Sequence, residues 1–245
     1  VIMKFNFILK SNLPFISLFL LFAGFVLFQP GRKISLNMTA KVLQNGKYIV
    51  TKGVVFYQVA GGLLVTHFIS PYENLVITNS VGEYKIYNKE ENTVTQSQGA
   101  DYSSENSFIY YFLSGKTQSM GLRSLGFQLT DTKIEDNLVI TTWLPPLNLS
   151  SLLSKVELAH ENYQPIFLGF FDSNGKPKQK VYYSAYTKIG NYNIPMNITE
   201  FQYLAQGDSI ITKRSYSDVK INEQVDDTYL SFKIPVNAKL IKQGY

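Results

Sequence analysis

Residues 52–94 read KGVVFYQVAGGLLVTHFISPYENLVITNSVGEYKIYNKEENTV, and this stretch decides the fold. It is rich in β-branched and aromatic residues, which favour pleated, partly buried strands over helix interiors. Gly61-Gly62 supplies the conformational freedom that a chain reversal needs. The stretch therefore predicts consecutive strands separated by turns. The strands expected here are 48–60, 63–70, 74–79 and 83–87.

The same pattern continues on both sides of this stretch. Residues 34–42 alternate apolar and polar side chains with a period of two, which is typical of a half-buried strand. Asn45-Gly46 tolerates the positive φ angles of a tight hairpin turn, and Asp136-Asn137 and Asn174-Gly175 predict two more hairpins. Beyond residue 94 the expected strands are 125–130, 138–144, 155–161, 165–171, 178–187, 192–203, 209–219 and 229–234.

Helix signals are few. The best candidate begins at Asp101 or Ser103 and ends at Leu113, with Glu105 in its first turn and Gly115 as a stop. A second, shorter helix is expected at 148–153. We therefore predict a mainly β protein: a large curved antiparallel sheet or incomplete β-barrel of about 11 strands, with one or two helices as a lid.

Several expected strands are apolar on both faces, most clearly 165–171 and 178–187. A sheet with one face in water needs apolar residues on only one side. Either a helix covers the second face, or one face lines an apolar interior.

The N-terminal residues predict a separate segment. Residues 1–33 contain Lys4 and Lys10 followed by an apolar run from 13 to 28, which is typical of a signal peptide or an uncleaved membrane anchor. We therefore expect a leader at 1–33 and a folded domain at 34–245. The formal charge of +5 comes largely from the leader, because the rest of the chain holds 19 basic and 18 acidic residues.

Catalytic signatures are absent from the sequence. It has no cysteine and only two histidines, His67 and His160, so a metal site or a thiol nucleophile is not expected. No G-x-S-x-G, G-x-G-x-x-G or P-loop motif occurs, and no cofactor is expected. The nearly neutral body also lacks the positive charge that nucleic-acid binding requires. These features predict a protein that is not an enzyme and binds no nucleic acid.

One set of fold motifs resembles a known family. Pro71, Tyr72 and Glu73 form a step between strands, Gly82 a turn, 84–87 an aromatic strand, and Asn92 with Val94 its exit. Near the C-terminus, residues 230–241 read LSFKIPVNAKLI. These motifs resemble the LolA/LolB family of outer-membrane lipoprotein carriers, including its lipoprotein-sorting relatives. Family carriers begin with a helix, whereas residues 34–42 here alternate as a strand.

The resemblance implies an incomplete β-barrel, closed by a helix, whose apolar cavity receives acyl chains. The expected function is a non-enzymatic carrier in the periplasm of a Gram-negative bacterium that binds a lipid or an acylated lipoprotein. For every expected lining residue, ordinary core packing is the alternative explanation. The expected lipid-binding residues are Leu75, Ile77, Tyr84, Ile86, Phe127, Leu129 and Trp143, with Phe108, Tyr111 and Phe112 under the lid.

A second function fits the same sequence. The protein could be a structural or interaction subunit of a larger cell-envelope protein complex, held to the membrane by residues 13–28 if the leader is not cleaved. In that case the sheet would be filled by its own side chains, and exposed edges or aromatic residues would dock a partner.

Overall fold

A 14-stranded sheet forms the framework of the protein. The structure, a computed structural model, describes residues 32–190, 192–204 and 207–241, without the side chain of Phe108. The expected leader up to residue 31, including the run 13–28, lies outside the described residues. The strands are β1 (Lys33–Gln44), β2 (Lys47–Gln58), β3 (Leu63–Ser70), β4 (Asn74–Thr78), β5 (Glu83–Asn88), β6 (Thr93–Gln98), β7 (Gln128–Glu135), β8 (Leu138–Leu144), β9 (Lys155–Glu161), β10 (Gln164–Phe171), β11 (Pro177–Ile189), β12 (Tyr192–Tyr203), β13 (Ser209–Ile221) and β14 (Lys239–Leu240).

The described helices are short. One α-helix, α1, spans Phe108–Leu113, and 3₁₀ turns occur at Ala60–Gly62, Ala100–Tyr102, Ser104–Asn106 and Asn222–Gln224. The helix expected over 101–113 is therefore shorter, because two 3₁₀ turns replace its first half. Residues 148–153 form turns rather than the expected second helix.

The strand order explains how the sheet is covered. It runs β14-β6-β5-β4-β3-β2-β1-β13-β12-β11-β10-β9-β8-β7, and its two edges are not paired with each other. Every adjacent pair is antiparallel except β14 with β6. The chain leaves β6 near one edge and enters β7 at the other, so the connection 99–127 crosses one face. This large, curved and unclosed sheet with little helix confirms the predicted fold class.

Two of the expected hairpins close through turns with positive φ at both central residues. Asn45 and Gly46 have φ of 49° and 71°, and Asp136 and Asn137 have φ of 48° and 66°. These turns match the right-handed twist of the flanking strands. At the third hairpin, Gly175 has φ of 74°. All three hairpins predicted from short turn motifs are confirmed.

Two clusters of buried apolar side chains lie on opposite faces of the sheet. The larger one lies on the face that 99–127 crosses, called the helix-covered face below. It extends from β1 and β2, with Leu36 and Val55, to β9 and β11, with Leu158 and Val181. The smaller cluster lies on the opposite face, between β2 and β6.

The C-terminal segment Val225–Ala238 covers the opposite face. Tyr229 stacks on His67 with ring centroids 4.3 Å apart, and its ring lies 5.1 Å from that of Phe56. Phe232 packs against Tyr87 at 5.7 Å. The prediction of a strand at 229–234 is therefore wrong. The alternating apolar residues rest on the sheet without pairing, and only β14 joins it.

Removing the Tyr229 ring is expected to loosen this cover. Tyr229→Ala should lower the free energy of unfolding by about 2 kcal/mol, because a partly buried aromatic side chain is lost from the cluster. Chemical denaturation followed by circular dichroism measures this. Val236→Ala, in the same segment but fully exposed, should change stability by less than about 0.5 kcal/mol. Equal effects of the two substitutions would mean that the segment does not cover the sheet.

Candidate functional site

The connection 99–127, called the lid below, begins with two serine caps. The Ser103 side chain accepts a hydrogen bond from the Glu105 N–H, and the Ser107 side chain accepts one from the Tyr110 N–H at the start of α1. Such caps satisfy N–H groups that have no partner inside a helix. At the other end the Lys116 N–H donates to the Tyr111 carbonyl at 2.8 Å. Gly115, with φ of 74°, permits this helix-ending turn.

The underside of α1 is buried against the sheet. Phe112 lies edge-on to Tyr183 with ring centroids 5.1 Å apart, and Leu113 is fully buried. Tyr110 packs edge-on to Tyr57 of β2 at 6.1 Å. Burial raises the pKa of Tyr57 to about 12. The six-residue helix is therefore held by aromatic packing rather than by its own length.

A polar network fixes the outer end of α1. The Tyr110 hydroxyl donates to Glu105 at 2.8 Å, and the Lys116 ammonium donates to the Tyr110 hydroxyl at 2.6 Å. The hydrogen bond to Tyr110 raises the pKa of Lys116. These groups line a recess of about 300 Å³ between the lid and β2.

The second half of the lid covers the far strands of the sheet. Met120, Leu122 and Phe127 are buried in the same cluster as Trp143 of β8. The Trp143 indole N–H donates to the Thr141 hydroxyl at 2.9 Å. The Arg123 guanidinium lies 5.6 Å from the Trp143 ring centroid, within the range of a cation–π interaction.

The structure brings four of the expected lining residues together. Tyr111 and Phe112 of α1, Phe127 of the lid and Trp143 of β8 all belong to the large cluster on the helix-covered face. Leu129 of β7 lies opposite Trp143 but is 43% exposed. Ordinary core packing accounts for the four buried residues.

The register separates two expected pairs of lining residues. Leu75 lies opposite Tyr87, whereas Val76 lies opposite Ile86 and Thr78 opposite Tyr84. Since paired residues point to the same face, Tyr84 and Ile86 face the helix-covered side. Leu75 and Ile77 face the C-terminal segment and pack in the smaller cluster. The expectation that all four residues line one surface is wrong. The pairing of β4 with β5 places Leu75 and Ile77 on one face of the sheet and Tyr84 and Ile86 on the other.

A recess that the sequence analysis did not identify opens beside the lid. It has a volume of about 900 Å³ and lies between residues 115–118 and the ends of β7, β8 and β9. Ile134 and Val139 give it an apolar side, and Thr141, His160 and Asn162 give it a polar one. Ile134 is 78% exposed although it lies on the helix-covered face.

His160 connects this recess to the lid. Its Nε2 lies 3.2 Å from the Thr117 carbonyl oxygen, so the neutral ring donates its N–H to the lid backbone. Burial lowers the pKa of His160, and the hydrogen bond to Thr117 opposes this shift to a smaller extent. The lid is therefore joined to β9 by the His160 imidazole, whose neutral form is favoured by burial.

The depressed pKa of His160 makes stability depend on pH. The unfolded chain takes up a proton near pH 6.5, whereas the folded protein resists it. The stabilising contribution is therefore present above about pH 6.5 and is lost as the pH falls through the folded pKa. Urea midpoints at pH 7.5 and 5.5 should show a larger loss for the native chain than for His160→Gln. The same loss in both proteins would exclude His160 as the cause.

Two further properties concern only the described part of the chain. No three His, Asp or Glu side chains come together there as a metal-binding group. Within residues 32–190, 192–204 and 207–241, no helix is long and apolar enough to cross a membrane.

Together, the unclosed sheet and the small lid define an incomplete barrel, and solved structures share this fold. A DUF1329 family protein from Desulfovibrio piger matches with a TM-score of 0.58 and 12% identity, over 83% of this chain and 91% of that one. A LolA superfamily protein from Nitrosomonas europaea matches with a TM-score of 0.53 and 12% identity, over 82% and 90%.

A third structure is a domain assigned to outer membrane lipoprotein sorting, from Vibrio parahaemolyticus. It matches with a TM-score of 0.56 and 13% identity, over 82% of this chain and 89% of that one. No family model and no curated protein sequence matches this chain. The expected likeness to LolA proteins is thus confirmed for the fold.

Proposed function

We propose that this protein is a non-enzymatic, periplasmic carrier that binds the acyl chain of a lipid or lipoprotein between its sheet and its lid. The observation that carries the proposal is a LolA-like fold whose short lid covers an apolar face and leaves a recess of about 900 Å³ beside it. The name of the Vibrio parahaemolyticus domain, which refers to lipoprotein sorting, supports the same function.

The recess is large enough for an acyl group, and its lining is partly apolar and partly polar. Pockets for small ligands typically have volumes of about 300–1,000 Å³ and a mostly apolar lining with a few polar groups. Ile134 and Val139 supply apolar surface, and the Thr141 hydroxyl and His160 stand at its polar side. Burial of each methylene group from water stabilises binding by about 0.8 kcal/mol.

The lid provides a way to enlarge this recess. Below α1 the helix-covered face is filled by Phe112, Leu158 and Val181. Displacement of α1 together with residues 114–118 would extend the recess over that apolar surface. The opening then depends on a helix of one and a half turns and the His160–Thr117 hydrogen bond.

Lipid extraction of the purified protein tests the proposal directly. We expect mass spectrometry of the extract to detect bound lipid. If the protein is purified empty, we expect it to bind an added acylated peptide. Native mass spectrometry with the same peptide without its acyl chain serves as the control. Protein that is empty and takes up no acylated peptide would contradict the proposal.

Two adjacent substitutions locate the binding surface. Ile134→Lys places an ammonium group in the recess and should weaken binding of the acylated peptide at least about tenfold, because bound alkyl chain would desolvate the charge. Glu135→Lys adds the same group one residue later, on the other face of β7, and should leave the affinity within about twofold. Similar effects of both would place the acyl chain elsewhere.

A second candidate function is supported by the packed core. Since the middle of the helix-covered face is filled by the protein's own side chains, the domain could instead serve as a structural subunit of an envelope complex, anchored by residues 13–28. N-terminal sequencing of the mature protein separates the two. A start near Ile34 favours the soluble carrier, and an intact Met3 favours the anchored subunit.

A further inference from the structure

The tip of the β1–β2 hairpin exposes apolar side chains on both of its faces. Tyr48, Ile49 and Val50 are 71%, 57% and 41% exposed. Because neighbouring strand residues point to opposite sides, Ile49 faces one side of the sheet, and Tyr48 and Val50 face the other. Neither cluster of buried residues includes these three side chains. Core packing therefore does not explain them.

An apolar recess lies next to this tip, on the face opposite the lid. It has a volume of about 500 Å³ and lies between β1, β2 and β13. Leu43, Tyr48, Val50 and Ile211 form its apolar surface. This recess is separate from the one beside the lid, since it shares no residue with it.

Two lysines lie side by side at this recess. Lys41 of β1 and Lys213 of β13 are direct partners in the register, and both are exposed. Among the described residues, neither forms an ion pair with an acidic side chain. The two acids nearest to Lys213 in sequence have other partners: Asp208, just before β13, accepts a hydrogen bond from the Ser209 N–H, and Asp218 of β13 pairs with Lys220. Like charges in directly opposed positions destabilise a sheet, and a bound anion would relieve this repulsion.

We propose that this surface docks onto an anionic membrane. Tyr48, Ile49 and Val50 enter the interfacial region of the bilayer, and a lipid phosphate lies between Lys41 and Lys213. A bilayer can contact both faces of the tip at once, whereas a flat protein surface would cover only one of them. The apolar residues on both faces therefore favour a membrane over a flat protein partner. Lysines at such a surface place their charge among the headgroups and their methylene stems along the apolar layer. This proposal does not rest on acyl binding beside the lid.

A local probe tests this contact in the full chain. Because the sequence has no cysteine, Ile49→Cys can carry a single NBD fluorophore. We expect its emission to rise and shift to shorter wavelength with phosphatidylcholine vesicles that contain phosphatidylglycerol, and not with pure phosphatidylcholine vesicles. Salt should weaken the response. Asn174→Cys, labelled at another hairpin tip, is the control for vesicle attachment through other parts of the chain.

The lysine pair gives the second arm of the test. The double variant Lys41→Gln and Lys213→Gln should weaken the response of the labelled chain about 25-fold, or roughly fivefold for each lysine. Lys133→Gln with Lys188→Gln removes the same charge from other exposed positions and should have little effect.

Three results would overturn the proposal. The first is a probe at position 49 that does not respond to anionic vesicles, and the second is an equal response to neutral ones. The third is a response that the double lysine variant leaves unchanged. If polyglutamate binds through the two lysines while anionic vesicles do not change the probe, the surface docks an acidic protein and not a membrane.

Discussion

Replacing Trp143 by alanine is expected to lower the free energy of unfolding by about 3–5 kcal/mol, the range typical of a buried aromatic residue. The indole is nearly inaccessible to solvent and packs under the second half of the lid with Phe127. Its removal would leave a cavity, the Thr141 hydroxyl would lose its indole donor, and Arg123 would lose its aromatic partner. Far-UV circular dichroism should follow the denaturation, because Trp143 is the only tryptophan.

Two other substitutions make this result interpretable. Leu144→Ala changes the next residue on β8, which is exposed and faces the other side, and should cost less than about 1 kcal/mol. Trp143→Phe keeps most of the packing and removes the indole donor, so its effect should lie between the two. A Trp143→Ala effect no larger than that of Leu144→Ala would show that the lid does not pack on β8 as described.

Gly121→Ala should disturb the lid itself, with a loss of about 2–4 kcal/mol. Gly121 has φ of 80°, a conformation in which a side chain is strained. An added methyl group would also overlap the Tyr111 hydroxyl and lie 2.8 Å from its ring Cε1 atom. Tyr111 is buried in the core cluster, so its ring cannot move without shifting α1. Hydrogen exchange of the α1 backbone N–H groups should accelerate together with the loss of stability.

Gly175→Ala separates the two causes. Gly175 has nearly the same φ, 74°, but no atom lies within 4 Å of an added methyl group. Gly175→Ala should lower the free energy of unfolding only by the cost of the strained backbone conformation, about 1–2 kcal/mol. It should leave hydrogen exchange in α1 unchanged. The prediction is falsified if both variants lose the same stability and neither changes exchange in α1.

Local sequence patterns predicted most of the sheet, but they failed where burial and strand pairing differ. Residues 229–234 alternate like a strand, yet their apolar side chains pack on the sheet instead of joining it. The opposite error occurred at β6, Thr93–Gln98, whose mostly polar residues pair with β5 although their sequence lacks an apolar alternation. A period of two reports which side chains are buried, and it does not report the backbone hydrogen bonds.

The candidate site was predictable only in part, for a related reason. Aromatic residues marked the lid and Trp143 as apolar, and the structure places them together. His160 and Thr117 are 43 positions apart and meet only because the lid crosses the sheet from β6 to β7. Lys41 and Lys213 are also distant in sequence and become neighbours when β13 pairs with β1.

By itself, the sequence determined the mainly β fold, its hairpins and the helical segment that ends at Leu113, because these depend on turn residues and on side-chain periodicity within a few positions. Tertiary structure decided which face each strand presents, where the recesses open and which charged groups oppose each other. These features depend on strand register and on contacts between residues far apart in the chain. A shift of one residue in the pairing turns every side chain of a strand to the other face. The sequence of a strand therefore does not show which side chains lie on which face until its pairing with the adjacent strand is known.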